Sequence, residues 1–139
     1  MEGSQGPTRR DNRRGSSLVE TALVTIPFFT LILGIIACAY LVFTYESVTF
    51  GAQQGARWAS VRGSTSGMAA TDASVQAYVT GQTPGLAPGA LHVQTTWSPD
   101  NKPGGTVTVQ VTYTAVPLST LSLPKTLTLS SSSSTTVSR

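Results

Sequence analysis

Residues 21–45 make up a 25-residue stretch with no charged side chain, built mainly from Leu, Ile, Val, Phe and Ala. As a helix this stretch rises about 37 Å, against a bilayer hydrocarbon core of about 30 Å, so it is predicted to span a membrane with some tilt. In a chain of 139 residues, one small domain is all that can fold outside it. Pro27 falls within the span and is expected to bend or loosen the helix, which membranes tolerate.

Four of the nine basic residues, Arg9, Arg10, Arg13 and Arg14, lie just before the span, and none follows it immediately. The preference of basic flanks for the inner side then puts the N-terminus in the cytoplasm and the C-terminal domain outside. Tyr40, Phe43, Tyr45, Phe50 and Trp58 crowd the outer end, where amphipathic rings favour the water interface. Residues 1–15 are polar, rich in Gly and Arg, and read as a disordered basic leader.

Of the formal net charge of +3, two units lie in that leader, where four arginines stand against Glu2 and Asp11. Beyond residue 15 the chain carries Arg57, Arg62, Lys102, Lys125 and Arg139 against Glu20, Glu46, Asp72 and Asp100, five cations against four anions. A nucleic-acid partner needs positive charge spread over a folded face, so none is expected. Cys38 is the sole cysteine, which rules out an intrachain disulfide and a CxxC metal site. Its apolar setting suppresses the thiolate, and it reads as a small hydrophobe.

The helix is expected to continue past the membrane, because residues 46–62 contain no proline and keep Gly51, Ala52, Gly55, Ala56 and Ala59 at helical spacings. Two readings of this small-residue segment, in which Arg57 also lies, stand side by side: packing against the sheet of the same domain, or helix-to-helix packing in a polymer. After a loop at 62–67, Met68, Val75, Tyr78 and Val79 suggest a short second helix ended by Gly81 and Pro84.

Beyond Gly89 the period changes to two. Leu91, Val93, Thr95 and Trp97 alternate with polar neighbours, as do Val107, Val109, Val111 and Tyr113, and the Pro- and Gly-rich segment 98–105 joins the two runs as a hairpin. A third run starting at Lys125 and continuing into 131–137 suits an edge strand or a loose tail. The expected fold class is α+β: a long N-terminal transmembrane helix continuing outside the membrane, a short second helix, and a small antiparallel sheet of about three strands. The chain divides accordingly into leader 1–15, span 16–45 and extracytoplasmic domain 46–139.

The segment Arg13-Arg14-Gly15-Ser16-Ser17-Leu18-Val19-Glu20 sets a glycine before the span and a lone carboxylate in its first turn. A charge at mid-span costs about 2.5 to 3.5 kcal/mol, less near the interface, so something should offset Glu20. If the chain is cut after Gly15, Ser16 becomes the new amino terminus and Glu20 lies one helical turn away, about 6 Å along the axis. Alternatively, Glu20 snorkels to the headgroups.

These residues resemble the type IV pilin-like class, in which a prepilin peptidase cuts after a glycine that precedes an apolar helix bearing glutamate at the fifth position. More narrowly, residues 14–23 followed by Pro27 resemble the opening of TadE-like proteins, and residues 51–59 resemble that family's small-residue segment ending in Gly-Ala-Arg-aromatic-Ala. The sequence departs from the pattern at Thr21, where the family often has an aromatic, and at Gln54, where a charge is frequent, and either a TadE-like or a TadF-like subgroup is compatible with it. The resemblance implies a pilin-like minor pseudopilin of a tight-adherence (Flp-type) pilus or related secretion system. It would be a single-pass protein of the bacterial cytoplasmic membrane.

Its implied partners are the membrane, a prepilin peptidase acting at Gly15 and Ser16, an assembly ATPase with its inner-membrane platform, and other pilin or pseudopilin subunits. Glu20 would serve docking by pairing with an amino terminus, its own or a neighbour's. No cofactor, metal or small-molecule substrate is implied.

Two other readings compete. Residues 35–38 mimic a lipobox and 37–39 an A-x-A cleavage site, as in an exported lipoprotein, but the apolar run continues through Tyr40-Leu41-Val42-Phe43. An uncut, membrane-anchored binding or adhesion domain is the other. An enzyme is not expected, since His92 lies on the polar side of its strand without a nucleophile or acid at motif spacing, and no Gly-rich phosphate loop is present.

Overall fold

A computed structural model describes residues 11–115 and 126–138 of the chain. Residues 1–10 of the leader, Lys125 and Arg139 lie outside the described residues. Helix α1 runs Asp11–Ser60. Residues 11–15, expected to be unstructured, are therefore helical: arginine is a good helix former, and no proline occurs between Pro7 and Pro27. Pro27 removes the donor for the Leu23 carbonyl, yet the helix continues across it.

By packing, the chain divides into two units, Met1–Cys38 and Ala39–Arg139. In the first, no described residue from 17 to 38 is buried, although most are large and apolar. In the second, burial on α1 begins at Thr44 and follows Val48, Gly51, Ala52, Gly55, Ala56 and Ala59. Steps of three and four residues keep these on one helical face.

Helix α2, Asp72–Gln82, begins at a reciprocal cap. The Thr71 hydroxyl accepts from the Ser74 amide at 3.3 Å, and the Ser74 hydroxyl accepts from the Thr71 amide at 2.9 Å. Serine here occupies the place usually held by Glu or Gln in such a box. Because the cap fixes the start at Asp72, Met68 lies in the preceding loop, 77% exposed, and not in the helix as its spacing suggested. Gly81 sits inside the last turn, and the helix ends at Gln82, two residues before Pro84.

Strands β1 (Leu91–Ser98), β2 (Thr106–Ala115) and β3 (Leu127–Thr136) form an antiparallel sheet in that order. Val109 is the partner of Thr95 on one side and Ser133 on the other. The third run is thus an edge strand, paired with β2 over all ten of its residues. Period-two alternation sends Leu91, Val93, Val107, Val109, Val111 and Tyr113 to the inner face. The outer face carries His92, Gln94, Thr96 and Ser98 on β1, Thr106, Thr108, Gln110 and Thr112 on β2, and Ser130, Ser132, Ser134 and Thr136 on β3. Hydroxyl contacts such as Thr108 Oγ1 to Ser134 Oγ, at 2.7 Å, link neighbouring strands there.

The turn between β1 and β2 holds Gly104 at φ +92°, a conformation costly for any residue with a Cβ. The end of α1 is anchored to the end of the chain: the Ser60 carbonyl, which has no partner within its helix, accepts from the Ser138 amide at 2.9 Å. The Val137 amide in turn donates to the Gly105 carbonyl at 2.8 Å.

The core closes where α1 meets α2 and β2. A Cβ at Gly51 would stand 2.8 Å from Thr83 Cγ2, and one at Gly55 would stand 2.8 Å from Val79 Cγ2 and 3.2 Å from Val109 Cγ1. The small residues let the helix backbone approach that closely. The apolar area comes from the opposite side, where Val75, Val79, Val107, Val109 and Val111 are fully buried, each contributing on the order of 1.5 to 3 kcal/mol. Gly55→Val should accordingly destabilise the domain by about 1 to 3 kcal/mol through overpacking. Gly81→Ala, whose Cβ meets nothing within 4 Å, should stabilise it by about 0.5 kcal/mol. Denaturant unfolding of the detergent-solubilised chain, followed by tryptophan fluorescence, measures both.

Candidate functional site

The membrane-entry residues all lie on α1. Gly15, Ser16 and Glu20 are helical, and Glu20 is exposed. The helical register keeps Ser16 and Glu20 four residues apart, one turn and about 6 Å along the axis. A Cβ added at Gly15 would meet nothing within 4 Å, and its φ is not positive. Glycine inside a helix costs roughly 0.5 to 1 kcal/mol relative to alanine, and no contact among the described residues requires it at position 15.

The apolar stretch is chemically suited to lipid in its polar groups as well. Thr21, Thr25 and Thr30 donate their hydroxyls to the carbonyls of Ser17, Thr21 and Ile26 at 2.8, 2.7 and 2.9 Å. Each hydroxyl is thereby satisfied within the helix, as a medium without water demands. Cys38, the single cysteine, is exposed on the same helix. This helix is a candidate membrane span by length and composition.

Of the residues singled out for helix packing, Gly51, Gly55, Ala56 and Ala59 are buried inside the domain, against α2 and the sheet. Between the two readings of the stripe, the structure describes the intradomain one. Arg57 differs from its neighbours: it is exposed, and with Gln53 and Ala56 it faces Ser133, Ser134 and Thr135 across an open groove of about 440 Å³. Trp58 is half-buried. It stacks on Tyr78 with centroids 5.2 Å apart, and the Arg62 guanidinium lies 4.0 Å from the Trp58 ring centroid.

His92 projects from the outer face of β1. Among the described residues, no three of His, Cys, Asp and Glu come together as metal ligands would. The one ion pair among them, Lys102 with Asp100 at 3.1 Å, is solvent-exposed and contributes about 0 to 1 kcal/mol.

Gly15 opens, and Glu20 lies within, the stretch that a family comparison matches. Residues 15–57 match the TadE-like protein family. This segment is similar to that family. The match takes in the candidate span and the core-facing stripe as far as Arg57, and ends before α2 and the sheet. TadE-like proteins are associated with Tad pili and are structural or assembly components, not enzymes. No curated protein and no solved structure matches the chain.

Three features of this region escaped the sequence reading. The Arg62–Trp58–Tyr78 stack joins elements distant in sequence and leaves no local signal. The Thr71–Ser74 cap was visible in principle as a hydroxyl residue followed three positions later by a second polar partner. The groove at Arg57 depends on where β3 falls, and no periodicity encodes that.

If the TadE-like segment lies in lipid, Cys38 in intact membranes should resist a charged, membrane-impermeant maleimide and should react once SDS dissolves the bilayer. In a Cys38→Ala background, Met68→Cys should react fully without detergent. Gel-shift labelling reads both, and rapid labelling of Cys38 in intact membranes would argue against the span.

Proposed function

We propose that the chain is a minor pseudopilin, a membrane-anchored assembly subunit of a Tad (Flp-type) pilus or related secretion apparatus, cut after Gly15 by a prepilin peptidase. The observation that carries this reading is Gly15 itself, a helix-destabilising residue with neither a steric nor a backbone reason for its presence, five positions before a lone carboxylate at the start of a lipid-compatible helix. A peptidase must unwind the bond it cuts into an extended form. Glycine lowers the cost of doing so by roughly 0.5 to 1 kcal/mol, and the arginines before it keep the scissile bond on the cytoplasmic side.

Cleavage creates a charged amine at Ser16. On a helix that amine comes within one turn of Glu20, and a carboxylate that is costly in the bilayer acquires a compensating charge. The same carboxylate can instead take the amine of an adjacent subunit, which would guide docking into an assembly. In this reading residues 1–15 are a cytoplasmic leader, 16–45 the membrane anchor, and 46–139 an extracytoplasmic domain presented to other pilin or pseudopilin subunits and to the inner-membrane platform.

Intact-mass analysis of the membrane-extracted protein, co-expressed with a prepilin peptidase, tests the proposal. The wild-type chain should lose residues 1–15, Gly15→Ala should remain full length, and Glu20→Ala should still be cut. A mature chain starting at Cys38 with added lipid would make it a lipoprotein. An uncut wild-type chain would leave an anchored domain outside the pseudopilin pathway.

A further inference from the structure

Strand β3 is an unusual edge. It pairs with β2 through ten consecutive residues with no bulge, and within Leu127–Thr136 there is neither a charge nor a proline. Proteins ordinarily protect exposed edges with one of these devices, because an unpaired row of amides and carbonyls recruits another strand. The inner row of β3 is also unfinished. Ser131, Ser133 and Thr135 are only half-buried, whereas their partners Val111, Val109 and Val107 are fully buried. Beside this row lies the groove shared with Gln53, Ala56 and Arg57 of α1.

We infer that the outer edge of β3, which pairs with no further strand among the described residues, takes up an extended segment of another protein as a fourth strand, with an acidic side chain of that segment entering the groove to meet Arg57. Charge identifies the occupant. Arg57 has no carboxylate within 4.0 Å among the described residues, and in sequence β3 is bracketed by Lys125 and Arg139 with no acid between. A second copy of β3 would bring its own cations against these. A strand bearing a carboxylate brings their complement. Main-chain hydrogen bonds along the edge supply affinity without sequence preference, and alternate side chains entering the groove supply the selection. Short hydroxyl side chains on β3 lose little conformational entropy when covered. This surface shares no residue with the segment around Gly15 and does not depend on how Gly15 is processed.

The test uses the full chain in detergent micelles and a fluorescein-labelled peptide Thr-Val-Thr-Glu-Thr-Val-Thr, with binding read by anisotropy. Replacing the peptide glutamate by glutamine should weaken binding about tenfold, the loss of one charge-assisted hydrogen-bonded pair. Arg57→Glu should weaken the glutamate peptide by at least as much and should bind a lysine-substituted peptide in its place. Ser133→Lys, a charge set into the groove from β3, should also weaken the glutamate peptide. Circular dichroism of each variant shows whether the fold is retained, and because Arg57 is exposed its replacement leaves the core untouched.

The inference is overturned if the folded wild-type chain binds no peptide, or if Arg57→Glu leaves the preference for glutamate unchanged. It is overturned equally if a peptide copying residues 126–137 binds better than the acidic one, which would make a second copy the occupant.

Discussion

The C-terminal α+β domain depends on one close approach, that of the α1 backbone to α2 and β2 at Gly51 and Gly55. With 2.8 Å between a hypothetical Cβ and the facing methyls, these positions admit hydrogen and nothing larger. The stripe on α1 is made of Gly and Ala, which bury little apolar area of their own. The stabilisation comes from the valines pressed against it, and they can press only because the helix presents no bulk. Val79 touches both glycines, so the placement of α2, and with it the reciprocal cap at Thr71, is tied to the same contact. Interiors packed at this density convert the loss of one hydrogen atom's worth of space into strain.

Elements governed by local periodicity were legible in the sequence. The charge-free run, the alternation of β1 and β2, and the serine-rich third strand follow from spacing of polarity alone, and each occurs close to where that spacing puts it. What was not legible is decided by contacts across the chain. Met68 has the spacing of a helical residue, but the Thr71 cap outcompetes it. The stack of Trp58 on Tyr78 depends on where α2 is placed. The small-residue stripe is compatible with a neighbour's helix or with its own α2, because the requirement for close approach is identical in the two cases. Gly15, Ser16 and Glu20 lie on one helix at the spacing their order in sequence implies, because that spacing involves no contact across the chain.

Helix α1 carries two kinds of surface along one element. From 17 to 43 no described residue is buried, and from Thr44 onward a continuous stripe is. The TadE-like segment extends across this change and ends at Arg57, inside the region that forms the core. The family match therefore covers more than the candidate span: its last turns are structural members of the α+β domain. A soluble fragment of the domain has to begin before Thr44 if it is to keep the stripe on which its valines pack.

The outward face of the sheet has a further property. Its twelve paired positions across the three strands bear hydroxyls, two amides and the imidazole of His92, and no carboxylate, ammonium or guanidinium. Dissolved ions have almost nothing to screen on such a face, so its contacts are insulated from changes in salinity that would weaken a charged surface. Serine and threonine each donate and accept. The face can therefore exchange bound water for other hydroxyls without reorganising its strands, and its contacts are governed by hydration and not by charge.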